Sequence, residues 1–125
     1  MSKEKNTETV TSDSGDIRIE MNTGQRISLA MFLSQLYQNV NIQKGFLLLN
    51  LKNKLLLNAD EAKTAKLQDF EDGRIVFDGS VLWTIELKEK EVELIKEAID
   101  TALNDSDKEF PLAIIESVLF IKDKL

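Results

Sequence analysis

Neither histidine nor cysteine occurs anywhere in the 125 residues, and the chain has one tyrosine and one tryptophan. Without imidazole no side chain has an unperturbed pKa near neutrality, so acid–base chemistry would fall to carboxylates, lysines or Tyr37 with strongly shifted pKa values. Without thiols there is no cysteine nucleophile, no disulfide and no zinc site built from nitrogen and sulfur. Also missing is a glycine-rich strand-to-helix turn with its lysine, so nothing supports a nucleotide hydrolase. The densest apolar run, Phe46 to Leu57, is interrupted by Asn50, Lys52, Asn53 and Lys54 and falls well short of the roughly 20 apolar residues that span a bilayer. Residues 1–16 lack the basic start, apolar stretch and small-residue cleavage site of a secretory leader, so a cytoplasmic protein is expected. Together these absences remove most catalytic chemistry and leave binding, with no cofactor and no metal expected.

What is present suffices for one core. The apolar fraction is 42% and the charged fraction 30%, ordinary for a soluble domain, and a chain of this length buries roughly two-thirds of its unfolded surface. Residues 1–15 have almost nothing to bury and read as a disordered polar tail, leaving 16–125 as a single domain. The net charge of −6 is unevenly spread. Residues 17–57 hold Arg18, Arg26, Lys44, Lys52 and Lys54 against Glu20 alone, whereas 58–109 hold fifteen acids against seven bases. Such asymmetry either makes a dipolar molecule that steers toward a charged partner or supplies two solvated faces.

Ile17, Ile19 and Met21 alternate with charged residues as in a half-buried strand over 16–21, and Asn22-Thr23-Gly24 reads as a turn. Over 25–39, Leu29, Phe32, Leu33, Leu36, Tyr37 and Val40 recur at steps of three and four, which places them on one helical face. Asn39 to Gly45 marks the end of that helix. Residues 46–57 favour a helix by their leucine content, with a hairpin pairing Phe46–Leu51 with 54–57 as the alternative. Asn58 and Glu61 form the start of a short helix with a capping box. Arg74–Phe77 and Val81–Leu87 flank Asp78-Gly79-Ser80 as a β-hairpin over 74–87. Acids at 89, 91 and 93 open an amphipathic helix over 89–104, and Pro111 opens a last one over 111–124. The resulting class is α+β, with a small, mainly antiparallel sheet packed against about four helices.

Candidate sites are few. Asp105, Asp107, Glu109 and Glu116 have the spacing of a calcium loop, but Phe110 stands where the loop needs glycine and Pro111 follows it, which points to an acidic inter-helix turn instead. Asp69, Glu71, Asp72 and Asp78 cluster around the hairpin, where two carboxylates on one side could hold magnesium or act as an acid–base pair; nothing fixes such a geometry, and Asp and Gly are what tight turns require. The basic residues are too sparse, in too acidic a chain, for a nucleic-acid site. The last helix is apolar nearly all round, so it must be covered on more than one side, and Ile114, Val118, Phe120 and Ile121 are expected at a homo-oligomer or partner interface. Arg18, Arg26, Arg74, Tyr37 and Trp83 are the residues that could line a pocket for a phosphate-bearing small molecule.

Arg26 opening an apolar helix, Lys52-Asn-Lys54-Leu55 before Asn-Ala-Asp-Glu61, Gly73-Arg-Ile-Val-Phe77-Asp78, and Glu91-Val-Glu-Leu-Ile-Lys-Glu-Ala98 give a layout over most of 16–125. That layout resembles small accessory proteins encoded by bacteriophages and prophages of low-GC bacteria. The resemblance implies a gene context in which such proteins bind host factors, sequester a defence signal or assist virion assembly. The expected role is therefore a non-catalytic accessory or inhibitor protein that occupies a host protein's surface as a homo-oligomer. A small-molecule sponge and a virion assembly component are the alternatives.

Overall fold

The computed structural model describes residues 17–105 and 107–125; the expected tail at 1–15 lies outside them. β1 (Ile17–Asn22) pairs antiparallel with β4 (Leu82–Leu87), with Ile17 opposite Leu87, Ile19 opposite Ile85 and Met21 opposite Trp83. This register puts the apolar partners on one face, which packs on the helices, and leaves Arg18, Glu20, Thr84 and Glu86 in water. No turn separates β1 from the first helix. Asn22 ends the strand and caps α1 (Thr23–Leu36): its Oδ1 accepts from the Gln25 amide at 2.8 Å while Gln25 Oε1 accepts from the Asn22 amide at 2.9 Å. This reciprocal box satisfies two otherwise orphaned donors, so the chain passes directly from strand to helix.

The core is built around α1, whose Leu29, Ala30, Phe32 and Leu33 are buried together with Thr23 and Arg26. It packs on β1, α2, α4 and, most extensively, α5. α2 (Ile42–Leu55) starts at Asn41, whose side chain accepts from the Lys44 amide. Residues 46–55 are thus helical rather than part of a hairpin, and Gly45 lies in the first turn of α2 instead of ending α1. Leu48, Leu51 and Leu55 form its inner stripe. α3 (Ala59–Thr64) carries the expected box, with Asn58 and Glu61 bonding each other's amides.

The strands at 74–87 do not pair with each other. β2 (Gln68–Asp69) and β3 (Ile75–Val76) form a separate two-stranded hairpin, closed where Gly73 adopts φ +89 and donates to the Phe70 carbonyl, a conformation that suits glycine. The Asp78 amide is tied to the Ala65 carbonyl at 2.7 Å, and its carboxylate folds onto the Ser80 amide at 2.9 Å and hydroxyl at 2.6 Å. That local turn carries the chain away from β3. β4 then buries its alternating face by pairing along six residues of β1, a longer ladder than a two-residue β3 offers.

α4 (Glu89–Leu103) buries Leu94, Ile95, Ala98 and Ile99. α5 (Leu112–Lys124) follows Pro111, which sits at the N-cap, and the Phe110 ring packs 5.1 Å from that of Phe32. Four long helices, one short one and antiparallel strand pairs make an α+β fold. Among the described residues no helix is long and apolar enough to cross a membrane.

Candidate functional site

Arg26 projects from the first turns of α1 and is only 2% exposed. Its Nε donates to the Leu55 carbonyl at 2.8 Å, and Nη2 donates to the Lys54 carbonyl at 2.9 Å and to Glu61 Oε1 at 3.3 Å. A cation on the last carbonyls of α2 satisfies acceptors that the helix leaves open and sits at the negative end of its dipole. The guanidinium carbon lies 5.1 Å from the centre of the Trp83 ring, and Trp83 Nε1 donates to Thr23 Oγ1 at 3.0 Å. Arg26 and Trp83 do come together, then, but as a buried fastener joining α1, α2, α3 and β4.

The other three candidates for a phosphate-binding pocket are elsewhere. Arg18 lies on the solvent face of the sheet, 3.4 Å from Glu86. Arg74 lies in the β2–β3 hairpin, bonded to Asp72 at 2.8 Å and over the Phe70 ring. Tyr37, just past α1, donates to Glu97 of α4 at 2.6 Å, and Lys44 of α2 bonds the same carboxylate while lying over the Tyr37 ring. Burial, followed by the Glu97 bond and charge, raises the Tyr37 hydroxyl well above its usual pKa; the Lys44 and Tyr37 bonds hold Glu97 below the usual carboxylate range. No single pocket collects the five residues: Arg26 and Trp83 share one structural tie, and Arg18, Arg74 and Tyr37 each belong to another.

The uneven charge resolves in the same way. Arg18 faces Glu86, Arg26 faces Glu61, Lys44 faces Glu97, and Lys54 faces the buried Glu91 at 2.6 Å. Each pair joins a base of 17–57 to an acid of 58–109, so four of the five bases of the first region contact the second. Two of the acids around the hairpin serve turns: Asp72 accepts from Arg74, and the Ser80 hydroxyl and amide lower the Asp78 pKa. Glu116 lies in a groove with Asn22, Gln25 and Ser28. Among the described residues no group of three or more His, Cys, Asp or Glu side chains could hold a metal ion.

Among the described residues, exposed apolar side chains line up along α5 and α2. On α5, Ile114 and Ile121 are buried in the chain's own core and Val118 and Phe120 are half-buried, so the first pair cannot supply an interface. The residues left in water are Leu112, Ile115 and Leu119, on the side of the helix opposite Ile114, Ser117 and Ile121. On α2, Ile42, Phe46 and Leu49 are exposed by 72%, 61% and 56%. Their spacing of four and three residues makes a continuous outer stripe. Beside it runs a groove of about 360 Å³, bordered by Tyr37, Val40, Leu48, Leu49 and Lys52. With Leu48, Leu51 and Leu55 inside and Ile42, Phe46 and Leu49 outside, both faces of α2 are apolar.

No protein-family model, no curated protein and no solved structure matches this chain.

Proposed function

We propose that the protein is a non-catalytic binding protein that acts by occupying the surface of another protein, with the outer face of α2 as its contact. The observation that carries this reading is the Ile42–Phe46–Leu49 stripe, three large apolar side chains in line on one helix with a groove at their side. An apolar helix face of this kind suits helix-against-groove recognition, in which anchors at four- and three-residue steps supply most of the affinity. The basic residues of 17–57 are largely neutralised by ion pairs, which favours a protein partner over nucleic acid. The layout resemblance to phage and prophage accessory proteins makes a host protein in the cytoplasm the expected partner class.

Phe46→Lys tests the reading. Wild-type protein, used as bait in host-cell extract, is expected to retain one species in stoichiometric amount, and Phe46→Lys to lose that species while keeping its helical circular dichroism. Retention of the same species by Phe46→Lys sinks the assignment to α2.

A further inference from the structure

We infer that the cavity between α1, α4 and α5 is a binding site for a small aliphatic carboxylate, with the chain in the cavity and the carboxylate on Lys108. The inference goes beyond the α2 reading and does not depend on it. The cavity measures about 220 Å³, and of the residues that line it only Lys108 is polar. Phe32, Ile99 and Ile114 line it and are at most 5% exposed, so they form its floor. Leu103, Lys108 and Ile115 line it and stand in water, so they form its mouth.

Ala102 is the small residue on the α4 wall, partly buried against the core where a longer side chain would take up the space. The Phe32 and Phe110 rings, with centres 5.1 Å apart, complete the wall. Water is a poor occupant of such a space, because it needs two to four polar partners and the floor offers none. The occupant is therefore apolar over most of its length. An apolar cavity of about 150 Å³ takes benzene, so one of about 220 Å³ takes a chain of roughly eight carbons.

The mouth sets the chemistry of the other end. Lys108 is its one charge, and the acids nearest in sequence are turned elsewhere. Asp105 borders the groove on the outer side of α4 and accepts from the Asp107 amide, and neither Asp107 nor Glu109 lines the cavity. An ammonium at the rim of an apolar hole matches an anion whose chain points inward, since the carboxylate gains a charge-assisted hydrogen bond while staying near water. The same ligand would cover Leu103 and Ile115, which are 70% and 47% exposed, and so remove further apolar surface from water.

Octanoate is the probe, added to the full chain at neutral pH and followed by NMR through the methyl groups of Ile114, Ile115 and Val118. Saturable shifts are expected at these groups and not at Ile19 or Ile85 of the sheet. Across straight-chain acids from butanoate upward, affinity should rise by about fourfold per methylene and level off near octanoate, where the cavity is full. Octylamine should bind less tightly than octanoate. Lys108→Met should weaken octanoate by about threefold to fivefold, without a matching loss for octanol. Ala102→Leu should fill the cavity and remove binding of all three ligands. Lys108 is exposed, so its replacement leaves the fold intact and keeps the test open whatever Ala102→Leu does to stability. Absence of a saturable shift, an affinity that keeps rising through dodecanoate as on an open apolar surface, or equal binding of octanoate and octylamine overturns the proposal. Phe46→Lys should bind octanoate as wild type does, which separates this site from α2.

Discussion

Arg26 ties four elements of the fold together: α1, α2, α3 and β4. A buried guanidinium is costly to desolvate, and it persists here because carbonyls at the end of α2, Glu61 and the Trp83 ring all surround it. Arg26→Met keeps much of the bulk but leaves the α2 carbonyls bare, and should cost about 3 kcal/mol or more in urea unfolding. Glu61→Gln retains the bond to the Asn58 amide and loses a partly hydrated ion pair, so it should cost under about 1 kcal/mol. Equal losses would mean that the ion pair, rather than the helix cap, is what Arg26 provides. Tyr37 gives a second test, since it is the chain's single tyrosine and its phenolate absorbance reports one group. A folded-state pKa raised above the unfolded value of about 10 means that Tyr37 favours the folded state fully below that pH and loses this contribution as pH rises through the folded pKa. Alkaline unfolding should therefore begin at lower pH in wild type than in Tyr37→Phe, and an identical onset would separate Tyr37 from the alkaline transition.

Among the described residues two glycines, Gly24 and Gly45, lie in helices, and their surroundings differ. A Cβ at Gly45 would meet nothing closer than the Val40 side chain at 3.7 Å, so Gly45→Ala should stabilise by about 0.5–1 kcal/mol through helix propensity alone. A Cβ at Gly24 would stand 2.6 Å from Phe77 Cζ, so Gly24→Ala must displace the ring that lies against the start of α1 and should gain nothing. A matching gain at both sites, read from thermal unfolding, would mean that Phe77 does not press on α1. These helices were legible in sequence wherever one face was apolar and a cap was in place: Asn58 with Glu61 marked α3, and the acids at 89 and 91 marked α4. Strand pairing was not legible. Val81 to Leu87 alternates equally well toward any partner, and whether it joins Ile75 or Ile19 is settled by the turn at Asp78 and by the length of β1. Which of the four expected α5 residues face outward was not legible for a related reason. An all-round apolar helix does not announce which side its own core takes, and the core took Ile114 and Ile121.

At the scale of the whole molecule, the pairing of a basic third with an acidic one makes the fold depend on ionised carboxylates. Glu97 and Glu61 carry the argument. Lys44 and then Tyr37 lower the Glu97 pKa, and for Glu61 the effect of burial, which raises it, is outweighed by the Asn58 amide and by Arg26, leaving it lowered. A carboxyl depressed in the folded state contributes stability above its unfolded pKa of about 4.3, and that contribution disappears as pH falls through the folded value. Thermal unfolding should therefore be nearly level from neutrality down to about pH 5 and then fall steeply below about pH 4. The Glu61→Gln/Glu97→Gln double variant should start from a lower plateau and fall less steeply. Both sites join α4 or α3 to the earlier helices, so acidification should loosen the contact between the two charged regions before it melts the helices themselves. Near-ultraviolet circular dichroism of Trp83 and Tyr37 should accordingly decline at higher pH than the far-ultraviolet helical signal. A single coincident transition, unchanged in the double variant, would show that apolar packing around α1 holds the two regions together without help from their opposite charges.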